Sequence, residues 1–303
     1  MVYNLLKQKY RVVLYDKNQE AVERLCKHGA QRAASPAEVA ARPGLEALVS
    51  MLPSSQAALE AYLGSDGVLR LQAGELRPHV LIDCSTIDPI TSQELSAAAE
   101  GTLLHAEAAQ AHDAQYPRMI DAPVSGGVAG AEAGTLTFMC GGSAAAMEAA
   151  EPYLMRLGRH IIHCGPHGSG QAAKVCNNLV LGVTMAGLSE GLALGRRLGL
   201  DPQLLSQIFN ISSARCWSSE VYNPCPGVQE GVPSSRGYRN GFNSSLMVKD
   251  LGLAIKAAQH CGAPLPMADQ AVQLYRQVME KDPTLDFSAV FEAVYGGEQD
   301  GKK

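Results

Sequence analysis

The sequence has no CxxC pair, no basic run of the ~5–8 residues that mark a nucleic-acid patch, and no uncharged apolar stretch reaching the ~18 residues of a membrane-crossing helix. Each absence removes a class of protein. The eight cysteines, at 26, 84, 140, 164, 176, 216, 225 and 261, are scattered over 303 residues, which reads as reduced thiols and not as a disulfide or zinc framework. His105 and His112, and then His160, His163 and His167, lack the paired Cys or Glu of zinc sites, so no metal is expected. A net charge of −5 argues against a nucleic-acid platform. The longest apolar run, Leu179 to Leu188, is cut short by Glu190, so no membrane span is expected. The opening "MVYNLLKQKY" has neither a signal h-region nor an Arg-rich transit pattern, and the closing "GEQDGKK" reads as a solvated tail without a retention signal.

What is present is an alternation of short β-branched runs with helical patterns. "RVVLYD" (11–16) reads as a strand, after which Asn18 caps a helix to about Lys27. Ser35 and Pro36 are an N-cap with proline in the first helical turn. "EALVSML" (46–52), "HVLIDCST" (79–86), "MIDAPVSGG" (119–127), "GTLTFMCGG" (134–142) and "HIIHCG" (160–165) supply further strands. Helices are expected to about Ala99 after the second of these, and at 144–156. This is the pattern of an α/β, doubly wound, mostly parallel sheet. After the glycine-rich 165–170 no strand-like run remains. Helices are expected at 171–197, 202–209, 245–261 and 265–280, with a Ser-, Gly-, Pro- and Asn-rich loop at 211–243. The division expected is a nucleotide-binding part, 1–165, followed by an all-α part, 168–303. Clefts between such parts are where ligands usually sit.

In such a sheet an acidic residue at the end of the second strand takes the adenosine ribose hydroxyls, and Asp16 stands there, although a strand-ending Asp that merely makes a turn looks the same. A carboxylate at that point repels the 2′-phosphate of NADP, so NAD is the expected cofactor. The G-x-G-x-x-G fingerprint belongs about 20 residues earlier and is absent, so the first strand and its glycines are expected to be missing from the sequence. Ser125, Gly126 and Gly127 follow a strand and let several backbone N–H groups face one anion, or form a plain loop. Lys174 and Asn178 are i and i+4 and share a helix face. An amine and an amide so placed can hold a hydroxy acid and move its proton, while a snorkelling surface lysine is the commoner fate. Lys249 and Asp250 fall inside an apolar helix, where a solvated ion pair is the ordinary explanation.

Together "DAPVSGGVAGAEAGTLTFMCGG", "GSGQAAKVCNN" and "LMVKDLGLA" resemble the β-hydroxyacid dehydrogenase family, over essentially the whole chain from Met1 to about Phe291. "NISSARCWSSEVYNPCPGVQEGVPS", "MLPSS" and "DCSTIDP" narrow the resemblance to its valine-degradation branch. The resemblance implies a Rossmann-type domain with an all-α C-terminal domain, and a catalytic role for Lys174. It implies substrate binding by Asn178 and by the cradle Ser125, Gly126 and Gly127. It also implies cofactor binding by Asp16, Leu52, Pro53, Thr86 and Lys249. The activity implied is NAD-dependent oxidation of a short hydroxy acid by a homo-oligomer, mitochondrial in a eukaryote and cytoplasmic in a prokaryote. An inactive, cofactor-poor binding or scaffold protein, and a reductase of another short hydroxy acid or semialdehyde, are the alternatives. Two further departures stand out: Ala57 where such enzymes often carry asparagine, and a long connection, 100–118, that brings Tyr116, Pro117 and Arg118 up to a central strand. With the missing start, that stretch suggests an imperfect gene model or a splice variant.

Overall fold

Asparagine and serine caps start the second and third helices of the chain, whose residues 1–296 are described by a computed structural model. The "GEQDGKK" tail lies outside the described residues. α1 (Val2–Lys7) and β1 (Val13–Leu14) lead to α2 (Gln19–Cys26), where the Asn18 side chain accepts the Ala21 N–H at 3.1 Å. β2 (Gln31–Arg32) pairs in parallel with β1 as a two-stranded sheet. α3 (Pro36–Ala40) opens on the Ser35 hydroxyl, which accepts the Glu38 N–H at 3.1 Å. There follow β3 (Ala47–Ser50), α4 (Ser55–Leu63), β4 (Val80–Asp83), α5 (Pro89–Glu100), α6 (Ala106–His112) and β5 (Arg118–Asp121). Then come β6 (Val124–Ser125), α7 (Gly127–Ala133), β7 (Leu136–Gly141), α8 (Ala144–Leu154) and β8 (Gly158–Gly165).

β3 to β8 form one six-stranded sheet. β3, β4 and β5 run parallel, with Val80–Asp83 of β4 opposite Arg118–Asp121 of β5. Side chains alternate between two cores. Leu81 joins Tyr62, Leu95 and Met119 on one face, while Val80 and Ile82 join Ile120, Phe138 and Ala150 on the other. Burial on both faces is why these strands read as unbroken apolar runs. The sheet is mixed, however, and not simply parallel. β7 runs antiparallel to β5 and β6, and β8 runs parallel to β7. The chain turns back through α7 and a left-handed Gly134 without travelling the length of the sheet, so the return strand is antiparallel.

The 100–118 connection is accommodated. α6 begins with the His105 ring accepting the Glu107 N–H and ends at Asp113 in the left-handed region. Pro117 precedes the first paired residue, where its missing N–H costs the ladder nothing, and Arg118 donates its own N–H to the His79 carbonyl at 2.8 Å. The rings of His112 and His79 stack with centroids 3.5 Å apart.

The remainder is helical: α9 (Ser169–Arg197), α10 (Pro202–Ile211), α11 (Trp217–Val221), α12 (Ser244–Cys261) and α13 (Pro266–Lys281). The chain divides into two compact units, Met1–Lys174 and Val175–Lys303. In the second, Met185, Met247, Leu251, Val272, Tyr275 and Phe287 form the main core. The expected loop at 211–243 is organised by α11, by Asn223 donating to Ser206, and by Tyr238 donating to the Pro224 carbonyl at 2.8 Å. By length and composition α9 could cross a bilayer, but half of its most apolar window is buried inside the molecule, and it carries Lys174, Asn178 and Glu190. It is a core helix.

Burial, and then the charges of His112 and Arg118, lower the His79 pKa to about 4 against an opposing pull from Glu46. A base depressed in this way contributes stability that is complete above its unfolded value of 6.5 and is lost as pH falls towards 4. His79→Phe keeps a ring on His112 and removes the titration. Its melting temperature should therefore drop less on acidification across that window than the parent's. Equal acid slopes in thermal melts would show that His79 is not held neutral by the fold.

Candidate active site

The loops after β3, β4 and β5 are joined by buried hydrogen bonds. Asp83 closes β4 and is 1% exposed. Its Oδ1 accepts the hydroxyls of Ser50 at 2.7 Å and Ser85 at 2.6 Å. With Ser50 donating to Asp83, the Tyr62 hydroxyl is left to donate to Ser50 at 2.8 Å. Ser85 in turn accepts the Leu52 N–H at 2.8 Å, and Ser55 accepts the Asp88 N–H at 3.0 Å. The loop carrying Leu52 and Pro53 is thus fixed to the loop carrying Thr86. Burial pushes the Asp83 carboxyl up to about 6; the hydroxyls of Ser85 and Ser50 hold it down, and the Asp121 charge adds to the rise.

Beyond β5, Ser125 ends β6, and Gly126 and Gly127 take φ of 134° and 60°. These are backbone conformations that side-chain-bearing residues rarely adopt. A Cβ at Gly127 would meet nothing within 4 Å, so glycine is required there by conformation and not by crowding. The turn opens α7 with its N–H groups unencumbered by side chains, as an anion cradle needs.

Lys174 lies on α9 and is 7% exposed, which rules out a snorkelling surface lysine. Asn178, one turn on, is 2% exposed. Its Nδ2 donates to Asp250 Oδ2 at 2.5 Å, and its Oδ1 accepts from Asn177 at 3.0 Å. The Asn178 amide is therefore locked in one orientation. Asp250 is also buried, and Lys249 Nζ lies 3.1 Å from its carboxylate, so the pair expected to be solvated is an ion pair with a buried acid. Asp250 is the functional candidate that the sequence reading missed. It lies on the face of α12 that buries Met247, Leu251 and Ala254, and an acid at a core position was the available signal.

Asp16 stands apart from these networks. It is exposed beyond β1, with Oδ1 accepting the Asn18 N–H at 2.8 Å. Asp16, Leu52, Pro53 and Thr86 all follow the C-terminal ends of parallel strands, the side of such sheets on which nucleotides bind. Ala57, in place of the expected asparagine, uses its N–H on the Ser54 cap of α4.

Comparison with known proteins shows the family to which the chain belongs. A family model described as the NAD binding domain of 6-phosphogluconate dehydrogenase matches residues 1–165, and one described as NAD-binding of NADP-dependent 3-hydroxyisobutyrate dehydrogenase matches 168–294. The chain is 44% identical to a probable mitochondrial 3-hydroxyisobutyrate dehydrogenase of Arabidopsis thaliana, over 99% of this chain and 85% of that one. It is 44% identical to the 3-hydroxyisobutyrate dehydrogenase of Pseudomonas aeruginosa, over 98% of this chain and 94% of that one. Among solved structures, Mycobacterium tuberculosis 3-hydroxyisobutyrate dehydrogenase with L-serine is similar with a TM-score of 0.84 and 33% identity, covering 97% of this chain and 94% of that one.

The Asp83 network yields a test of its charge state. A carboxyl raised on folding contributes stability that is full below its unfolded value of 3.8 and is lost as pH rises through about 6. Asp83→Asn keeps an acceptor for Ser50 and Ser85 and cannot ionise. The stability of the parent relative to this variant should fall by up to ~3 kcal/mol between acid and neutral pH. A difference in denaturant stability that stays constant with pH would mean that Asp83 keeps an ordinary pKa.

Proposed function

Because this chain belongs to the 3-hydroxyisobutyrate dehydrogenase family, we propose that Lys174 takes the hydroxyl proton as 3-hydroxyisobutyrate is oxidised to methylmalonate semialdehyde. The protein is an NAD-dependent oxidoreductase, and NAD, when bound, accepts the hydride from the carbon that bears the hydroxyl. The observation that carries the residue assignment is a buried lysine one helical turn from an amide whose orientation Asp250 fixes.

The exposed Asp16 carboxylate suits the ribose hydroxyls, and Leu52, Pro53 and Thr86 line the same ends of the strands. Lys249 is a further cofactor contact by resemblance. The backbone N–H groups of Ser125, Gly126 and Gly127 take the substrate carboxylate, and Asn178 orients the substrate beside Lys174. For oxidation the amine must be unprotonated when the hydroxyl proton arrives; in the reverse direction the ammonium returns that proton to the aldehyde oxygen. Leu194 of α9, Leu198 just after it, and Leu204 and Ile208 of α10 are exposed, which supports self-association into a homo-oligomer. Eukaryotic relatives are named mitochondrial and the bacterial one is not, which supports a mitochondrial address in a eukaryotic cell and a cytoplasmic one in a bacterium.

Lys174→Ala should lower kcat by ~10²–10⁴-fold and leave NAD affinity nearly unchanged, as loss of a general acid–base group does. Oxidation by the parent should accelerate towards alkaline pH. A variant retaining more than about a tenth of parental turnover would exclude the assignment. Titration of NAD into the pure protein separates the enzyme from a cofactor-poor scaffold.

Asp16→Ser should shift the ratio of kcat/KM for NAD to that for NADP towards NADP, since it removes a ribose acceptor and a charge that repels the 2′-phosphate. The measurement is that ratio, and its invariance would place the ribose elsewhere.

A further inference from the structure

Among the buried carboxylates to which the assignment above gives no task, Asp121 stands nearest in sequence to the proposed cradle. Asp121 closes β5, four residues before Ser125, and is 1% exposed. Its Oδ1 accepts the Gly168 N–H at 2.8 Å and its Oδ2 the Gln171 N–H at 2.9 Å. Both donors belong to the start of α9, where a helix leaves its first N–H groups unpaired. An N-cap side chain normally meets that need, but the residue preceding α9 is Gly168, which has none. The cap therefore comes from a strand 47 residues earlier in the chain.

The fit around it is close. A Cβ on Gly141 would stand 2.5 Å from Oδ1, and one on Gly170 2.7 Å from Oδ2. The Gln171 side chain adds two more ties: its Oε1 accepts the Ile87 N–H at 3.0 Å, and its Nε2 donates to the Ser85 carbonyl at 2.8 Å. The first turn of α9 is thus held at four points by the ends of β4 and β5. Lys174 follows Gln171 by three residues. A slip of α9 by one residue would swing its side chain by about 100° and move it about 1.5 Å along the axis.

We propose that the clamp formed by Asp121 and Gln171 positions Lys174 against the Ser125–Gly127 cradle, so that the strand carrying the carboxylate cradle also sets the register of the proton-accepting helix. Asp121 and Gln171 are positioning residues that act through Lys174 and do not touch substrate. The inference rests on Lys174 being the proton acceptor. A carboxylate that merely stabilised the helix would affect every property of the enzyme alike; a positioning carboxylate affects only what passes through the lysine.

The test is a double-mutant cycle on the full-length protein. Asp121→Asn keeps the volume and loses one acceptor oxygen. It should lower kcat by about 10- to 100-fold in the parent, the loss expected of a slightly misplaced catalytic group. KM for NAD should change little. In a Lys174→Ala background the same substitution should lower the residual single-turnover rate by less than about twofold, because there is no lysine left to misplace. Rates are taken per folded molecule, from thermal melts of each variant. Equal losses in both backgrounds, or a raised KM with kcat intact, would overturn the clamp as a positioning device. A Lys174→Ala enzyme with undiminished kcat would instead remove the lysine assignment on which the inference rests. Should Asp121→Asn not accumulate folded, Gln171→Met, which keeps the backbone donation to Asp121, takes its place with the same expected and overturning results.

Discussion

Two carboxylates buried side by side, Asp83 and Asp121, are register partners at the ends of β4 and β5, and the rest of the site is built around satisfying them. Taking an ionised carboxylate out of water is costly unless hydrogen-bond donors replace the solvent. The donors that Asp83 finds are the hydroxyls of Ser50 and Ser85, and those hydroxyls bring the loops after β3 and β4 together. The donors that Asp121 finds are the first N–H groups of α9, and they bring the lysine-bearing helix to the sheet. Each acid is the hub of one half of the proposed machinery, cofactor loops in one case and proton-transfer helix in the other. Gln171 links the halves, because its amide bonds both sides of Thr86.

The helical part repeats this logic twice. Asn178 could turn its amide either way on a bare helix, and the Asp250 carboxylate removes that freedom by accepting only from nitrogen. A second buried acid, Asp286, collects the Tyr222 hydroxyl, the Phe242 N–H and the Ser288 hydroxyl, which organises the aromatic stack running from Trp217 through Tyr222 to Phe287. The long loop of small and polar residues thereby acquires a fixed shape without regular secondary structure over most of its length.

How much of this is legible in the sequence follows from the range of each interaction. Caps act over three residues, so Asn18 and Ser35 announce their helices directly. The Lys174–Asn178 face is a matter of helical spacing and is equally plain. β2 is hidden because Gln31 and Arg32 are both exposed and carry no apolar alternation. The antiparallel return at β7 is hidden because a strand pattern does not record direction. The acids that position the site are hidden for a third reason: Asp121 lies 50 residues from Gln171 and Asp250 lies 72 from Asn178, so neither partner is marked by local pattern. A buried acid inside an otherwise apolar helix or at the end of a buried strand is a mark that something distant must receive it, and Asp83, Asp121 and Asp250 are such marks.

The buried stripe of α9 changes character along its length. Residues 171, 174, 178, 182, 185, 189 and 192 recur at helical spacing and are all buried. In the second half the stripe consists of Gly182, Met185, Ser189 and Leu192, a packing seam closed by Tyr275 donating to the Gly182 carbonyl. In the first half the same stripe carries glutamine, lysine and asparagine. Stability alone would favour apolar residues there, since each polar group must be matched by a partner to avoid a desolvation cost. The chain supplies such partners in Ser85 and Ile87, in the loop after β4, and in Asp250 of α12. A polar seam with dedicated hydrogen-bond partners is consistent with the proton-transfer site proposed for Lys174.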